Sequence, residues 1–531
     1  MIEEILERKL FYNGYIITMN EYQPNVEAIG IQNEKIFSVG KLEEVKEDLG
    51  KIYGSIDLKG NTLLPGFIDC HMHPLAFMFL QLNLDLSNVK SLQELRIVLR
   101  NHAKEKPKGE LIFGLNLREE EFDVPILPDR WDLDDASLNH PVFIIRYDGH
   151  IGIMNTRALE LVGFQSRMQN PVGGEIRKNK KGELTGIVSE NALYIARSKI
   201  SKFLNSNYGV MQDVASRASE MFAMKGITSL HGIIQSTRIP IYKSIQDKIL
   251  QNWYAFISTD KPKNLKRLKK LPLDGGKEDS KFKVGTLKLF LDGTFGAKTA
   301  CMWEPFSDAP DSCGYCIVDE EEIYDKMKVA HNNGFQIAIH VIGDKGNRIC
   351  MDLYKKLLRE FPRENHRHRI EHASMLTKDV IKDMKDYGII ASCQPQFINS
   401  EYTWLEKRIG LDRCKYTYPY RSLTDSGVIL ASGSDCPVED PDVILGLHAL
   451  VTRNNLIPEE CISMFEALKS YTINGAYAAF EEKVKGSIEV GKLADFVILD
   501  KNPLEIEKDK IKEIQVLETI IRGKTVYKKR K

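Results

Sequence analysis

Leu63-Leu64-Pro65-Gly66-Phe67-Ile68-Asp69-Cys70-His71-Met72-His73-Pro74 sets an apolar, strand-like run directly against two histidines one residue apart. Side chains two apart in a strand point to the same face, so both imidazoles reach one ion at a bond length of about 2 Å. Taken alone, a His-x-His pair is more often incidental. Its weight depends on what the rest of the chain brings to the same place.

Further along, the chain repeats a unit in which an amphipathic helix ends at glycine, a short apolar strand follows, and a chemically capable side chain stands where the strand stops. Ile323, Met327 and Ala330 share one helical face ahead of Gly334, the strand Phe335 to Ile339, and His340. Val380, Ile381 and Met384 precede Gly388, the strand Ile389 to Cys393, and Gln394. Other copies run from Phe222 through Gly226 to His231, and from Leu423 through Gly427 and Val428 to Asp435. Helices alternating with fully apolar strands call for a parallel sheet covered on both faces. Functional groups at successive strand C-termini favour a closed (β/α)8 TIM barrel, whose strand ends converge on one mouth.

That mouth collects the candidate metal ligands. His340 and His372 each end a strand, and with His71 and His73 they make four strand-end histidines. Asp435, in Ala431-Ser432-Gly433-Ser434-Asp435-Cys436-Pro437, follows an apolar strand, where a buried carboxylate is costly unless paired or bound to metal. It suits both an ion and the proton of an attacking water. Lys288 lies inside Val284 to Gly293, where a free ammonium is poorly solvated. Either it pairs with a barrel carboxylate, or it is neutral, captures carbon dioxide as a carbamate (N6-carboxylysine) and bridges two metals. His150 and His231 are candidates for orienting substrate. His102, His140, His331, His366, His368 and His448 lack ligand spacing and read as solvated or structural, His331 as a cation suited to the end of its helix. Trp303, Phe397 and Trp404 are aromatic candidates for a pocket, although such residues more often pack the core.

Both ends of the chain read as short strands and turns, predicting one small β-sandwich domain assembled from residues 1–64 and 480–531 around a barrel spanning 65–479. Residues from about 109 to 198 break the barrel rhythm with Pro125, Pro128, Pro141, Gly173-Gly174 and Gly182, and predict an inserted lid-like subdomain.

The 531 residues allow two to four units, or one large barrel with additions. Lys plus Arg and Asp plus Glu both total 74, which argues against nucleic acid or an acidic membrane surface as a partner. The acidic start Met-Ile-Glu-Glu-Ile-Leu-Glu-Arg-Lys is unlike a signal peptide, and no apolar run reaches membrane-spanning length, so a cytoplasmic location is expected. Nine scattered cysteines read as reduced thiols, and the lone Cys313-Gly-Tyr-Cys316 lacks a second pair that would complete a zinc knuckle.

Taken together, these residues resemble the amidohydrolase superfamily, in particular its branch of N-substituted formamide deformylases and related metal-dependent hydrolases. The resemblance runs along nearly the whole chain. It includes Asp148-Gly149-His150 with Asn155, Gly173 to Arg177, Thr185-Gly186, Lys288 through Asp292-Gly293, Gly433 to Val438, Gly486-Ser487-Ile488 and Gly491 to Asp495. It implies His71, His73, His340, His372 and Asp435 as ligands, Lys288 as the bridging position and one or two divalent ions, expected to be Zn2+; homodimers are common in related barrels, and the oligomeric state is left open. His231-Gly232 and Lys298 depart from the residues usual in relatives, so substrate contacts are not carried over there.

The expected activity is hydrolysis of a non-peptide C–N bond in a small N-acyl, N-formyl or cyclic amide, using metal-activated water with Asp435 as proton acceptor and His150 or His231 at the oxyanion. Two rivals are a mononuclear deaminase on the same barrel, which Lys288 argues against, and a noncatalytic scaffold, which the full set of ligands argues against.

Overall fold

The computed structural model describes residues 7–137, 139–200, 208–259 and 281–530. The repeated units form a (β/α)8 barrel, as the sequence predicts. Its parallel strands are β1 (Phe67–Met72), β2 (Ile227–Gln235), β3 (Asn252–Ser258), β4 (Phe282–Phe290), β5 (Gln336–Val341), β6 (Arg369–His372), β7 (Ile390–Cys393) and β8 (Leu430–Ser432), hydrogen-bonded in chain order. The local reasons match the pattern. The helix Glu320–Asn332 is capped by the Asp319 carboxylate, carries three glutamates in its first turn, and buries Ile323, Met327 and Ala330. Gly334, at φ +76°, then turns the chain into β5.

The barrel closes at a seam between β1 and the loop after β8. Met72 bridges Cys436 in parallel, Asp435 N–H donates to the His71 carbonyl at 2.7 Å, and His73 N–H donates to the Cys436 carbonyl at 2.7 Å. A Cβ on Gly433 would lie 2.4 Å from the His71 nitrogen, so only glycine permits this approach. Inside, side chains stack in layers. Gln336 receives Thr286 at 2.6 Å in one layer, and above it Arg369 reaches His231, Ser392 and the face of Phe256.

Strands from both chain ends share one eight-stranded sheet, in which Thr62–Pro65 pairs antiparallel with Phe496–Leu499. Between β1 and β2 lies a six-stranded sheet that begins at Leu84–Asp85, upstream of residue 109, and ends at Leu184–Glu190. Its strand Val142–Arg146 is apolar on both sides for a reason. Val142 and Ile144 pack with Leu95, Leu99 and Leu133 on one face, and Phe143 and Ile145 with Leu159, Leu193 and Ala196 on the other. Among the described residues no helix is long and apolar enough to cross a membrane.

Of the two readings given to the remaining histidines, solvated or structural, three at the opposite end of the barrel take the structural one and are buried. His368 Nδ1 accepts from Ile337 N–H at 3.0 Å, which leaves its Nε2–H to donate to His331 Nδ1 at 2.9 Å, while His331 Nε2–H donates to the Phe361 carbonyl at 2.9 Å. His366 Nδ1 accepts from His368 N–H at 2.9 Å, and its Nε2–H donates to the Tyr387 carbonyl at 3.0 Å. All six ring nitrogens are committed with every ring neutral, so His331 is not the helix-end cation expected. Burial pushes the three pKa values down, His366 to about 4, with Arg363 nearby adding to the effect. The unfolded chain therefore takes up protons first as pH falls. The stability that His366 contributes is complete above about pH 6.5 and declines towards pH 4 by about 1.4 kcal/mol per pH unit, and the lowered pKa values of His331 and His368 add to the loss in the same direction. In urea titrations the midpoint should fall between pH 7 and pH 5, and less steeply in His366→Asn, whose amide oxygen can replace Nδ1. An equal slope in that variant would show that the triad is not responsible.

Candidate metal centre at the barrel seam

His71, His73 and Asp435 meet at the seam, and one donor atom from each lies within 4.8 Å of the others. His71 and His73 flank the end of β1, and Asp435 takes φ +59°, which turns its carboxylate back over the strand ends. His71 Nε2 stands 3.2 Å and His73 Nε2 3.1 Å from the same Asp435 Oδ1. The buried His71 Nδ1 touches the Glu371 carboxylate, which can only accept, so Nδ1 carries the proton and Nε2 presents a lone pair. A lone pair facing a carboxylate oxygen is unfavourable without a cation between them. Both His71 Nε2 and Asp435 Oδ1 are buried with no hydrogen-bond partner, so the donor set fits a divalent ion.

The other expected ligands stand beside this trio. The His372 ring lies 5.0 Å from that of His71 and 4.3 Å from that of His340, and His372 Nδ1 is buried without a partner. His372 reaches the mouth because it leaves β6 at φ +72°. His340 Nε2–H donates to the Gly293 carbonyl at 3.1 Å, which leaves Nδ1 as its lone pair. Lys288 Nζ, from the middle of β4, is buried with no hydrogen-bond partner, and among the described residues it makes no ion pair. Burial lowers its pKa to about 8, against the pull of Glu371 and Asp435. The salt-bridge account of Lys288 therefore lacks its carboxylate.

Glu371 and Arg369, which the sequence reading passed over, anchor the centre. Arg369 Nε lies 2.7 Å from Glu371 Oε1, with both side chains fully buried. The same guanidinium donates to the Cys70 carbonyl at 2.8 Å, to Ser392 Oγ at 2.6 Å and to His231 Nδ1 at 3.0 Å. His231 thus supports Arg369 from within the barrel, where the sequence reading expected it to orient substrate. Asp69 accepts the backbone N–H groups of His71 and Ser434, both at 3.1 Å, tying the two sides of the seam together. Asp292, two residues after β4, accepts from the backbone of Cys301, Ile342 and Gly343, and burial raises its pKa to about 7.

The inserted sheet delivers His150, whose ring lies 5.2 Å from that of His340. Its Nδ1 donates to Glu190 Oε2 at 2.8 Å, and Thr299 Oγ donates to Glu190 Oε1 at 2.7 Å. Although burial opposes it, the Glu190 carboxylate raises the His150 pKa to about 9. Of the aromatic candidates, Phe397 stacks on His372 at 5.9 Å, whereas Trp303 is exposed and Trp404 lies under Arg408.

The model of the amidohydrolase family matches residues 55–527. The protein YtcJ of Bacillus subtilis is 28% identical over 98% of this chain and 100% of its own length. N-substituted formamide deformylase of Arthrobacter pascens is 25% identical over 98% of each. The crystal structure of an uncharacterised metal-dependent hydrolase from Pyrococcus horikoshii superposes with TM-score 0.75 and 27% identity, covering 95% of this chain and 99% of that one.

Proposed function

This chain belongs to the amidohydrolase family and is a metal-dependent hydrolase, and on that premise we propose that it cleaves a non-peptide C–N bond in a small N-acyl, N-formyl or cyclic amide. The observation that carries the reading is the pair of orphaned buried atoms, His71 Nε2 and Asp435 Oδ1, beside an unpartnered Lys288 amine. Held by His71, His73 and Asp435, with His340, His372 and Lys288 adjoining, a divalent ion such as Zn2+ supplies Lewis-acid polarisation of the carbonyl and acidifies water. Asp435 takes the proton of the attacking water and passes it to the departing nitrogen. His150, kept protonated by Glu190, offers a positive N–H to the carbonyl oxygen as charge develops there.

Lys288 is read as a carbamate: its neutral amine adds to carbon dioxide and releases a proton, and the resulting carboxylate would join the side chains that hold the metal. In 13C-bicarbonate, a carbamate resonance is expected from the metal-loaded protein and not from Lys288→Met, which should also lose turnover by about 10²-fold or more. A variant with unchanged turnover would return Lys288 to a packing role. The activity itself is tested by turnover of N-formyl amines, N-acyl amino acids and cyclic amides, read as amine release. Release of ammonia from amino-substituted heterocycles, with every amide inert, would replace the proposal with the deaminase reading.

A further inference from the structure

The loop that leaves β4 doubles back on itself. Ile317 N–H donates to the Leu291 carbonyl at 2.7 Å, Met302 N–H to the Cys313 carbonyl at 2.8 Å, and Tyr315 N–H to the Thr299 carbonyl at 3.4 Å. This pairing brings Cys301 Sγ to 2.8 Å from Cys316 Sγ, closer than unbonded sulfurs pack. Cys313, the neighbour that the Cys-x-x-Cys spacing suggests for Cys316, instead directs its thiol to the Trp303 carbonyl at 3.9 Å. Cys301 is held rigidly. Its N–H donates to Asp292 Oδ2 at 2.9 Å, its carbonyl accepts from Gly346 at 3.0 Å, and a Cβ on Gly343 would lie 2.1 Å from that carbonyl oxygen. The residue is 4% exposed, whereas Cys316 is only partly buried.

We propose that Cys301 and Cys316 are a modification site, a dithiol that peroxide converts into a disulfide stapling the β4 loop. The loop bears directly on the metal centre, since Gly293 receives His340 Nε2–H and Asp292 gathers three backbone N–H groups. The hydrogen bond from the Cys301 thiol holds Cys316 below the usual thiol range, and Cys316 is also the more open sulfur. Its thiolate attacks hydrogen peroxide, the O–O bond breaks, and after protonation one water leaves with a sulfenic acid behind. Cys301 sulfur then attacks that sulfenic sulfur, forms the S–S bond and releases the second water. Two thiols lose two electrons in all, and one peroxide takes them. Because the sulfurs already touch, closing the bond leaves the strand ends in place.

The test treats the reduced full-length protein with hydrogen peroxide, then counts thiols in denaturant and maps non-reduced peptides by mass. The count should fall from nine to seven, with a Cys301–Cys316 crosslink that dithiothreitol reverses and Cys313 still alkylatable. The oxidised protein should melt roughly 2–3 °C higher. Cys313→Ala should keep the crosslink and Cys316→Ser should lose it. A Cys313–Cys316 crosslink, a sulfinic acid at Cys316 with Cys301 still free, or an unchanged melting temperature would each overturn the staple.

Discussion

Replacing His71 and His73 together with alanine should leave a folded barrel that retains no stoichiometric metal and has lost at least about 10³-fold in turnover. The ion's Lewis acidity is worth several kcal/mol of transition-state stabilisation, and each 1.36 kcal/mol is tenfold in rate. The two positions differ in what their loss disturbs. The His73 side chain is 32% exposed, so His73→Ala deletes a donor while leaving little void. His71 is 1% exposed and its ring is the partner of Glu371, so His71→Ala also strips a buried carboxylate of a hydrogen bond. His73→Ala should therefore keep wild-type stability while losing metal, and the double variant should add a stability cost of about 1–3 kcal/mol. Elemental analysis beside circular dichroism and urea titration separates the two effects. Stoichiometric metal in the folded double variant would remove this pair from the centre.

The barrel was legible because its evidence is local. Each helix–glycine–strand unit can be recognised within about twenty residues, and chemistry at strand C-termini points to one mouth. The seam was not, since nothing near His71 announces that Met72 will bridge Cys436 across the whole length of the barrel. His366 and His368, set aside as lacking ligand spacing, in fact share the spacing of His71 and His73, and the two pairs make the same point. His71 and His73 end a strand, whereas His366 and His368 precede one, so parallel strands send them to opposite ends of the barrel. The first pair leaves a donor atom unpartnered, while the second spends every ring nitrogen on its neighbours. A usable signal for Glu371 and Arg369 was present, because two opposite charges two residues apart in a barrel strand share one face, and when that face is buried they must find partners. Glu190 gave no such signal, since the inserted sheet brings it to His150 from 40 residues away.

The Arg369–Glu371 pair gives the largest stability effect expected away from the metal ligands. Arg369→Met should destabilise the protein by about 3–5 kcal/mol, because Glu371 would remain a buried anion facing only the His71 imidazole and Lys288. The Arg369 charge and the hydrogen bond from His71 hold the Glu371 pKa well below the usual carboxylate range against strong desolvation, so losing the guanidinium drives that carboxyl towards its neutral form. A protonated Glu371 no longer dictates that His71 Nδ1 carries the hydrogen, and the lone pair at Nε2 is no longer guaranteed. Metal affinity should therefore fall by about 10–100-fold along with stability. In Arg369→Met/Glu371→Gln the buried charge is gone and the glutamine carbonyl can still accept from Nδ1. That double variant should recover more than half of the lost stability, and metal affinity should rise with it. If affinity returned to the wild-type value in Arg369→Met alone, Glu371 would be a packing residue and not the group that orients His71.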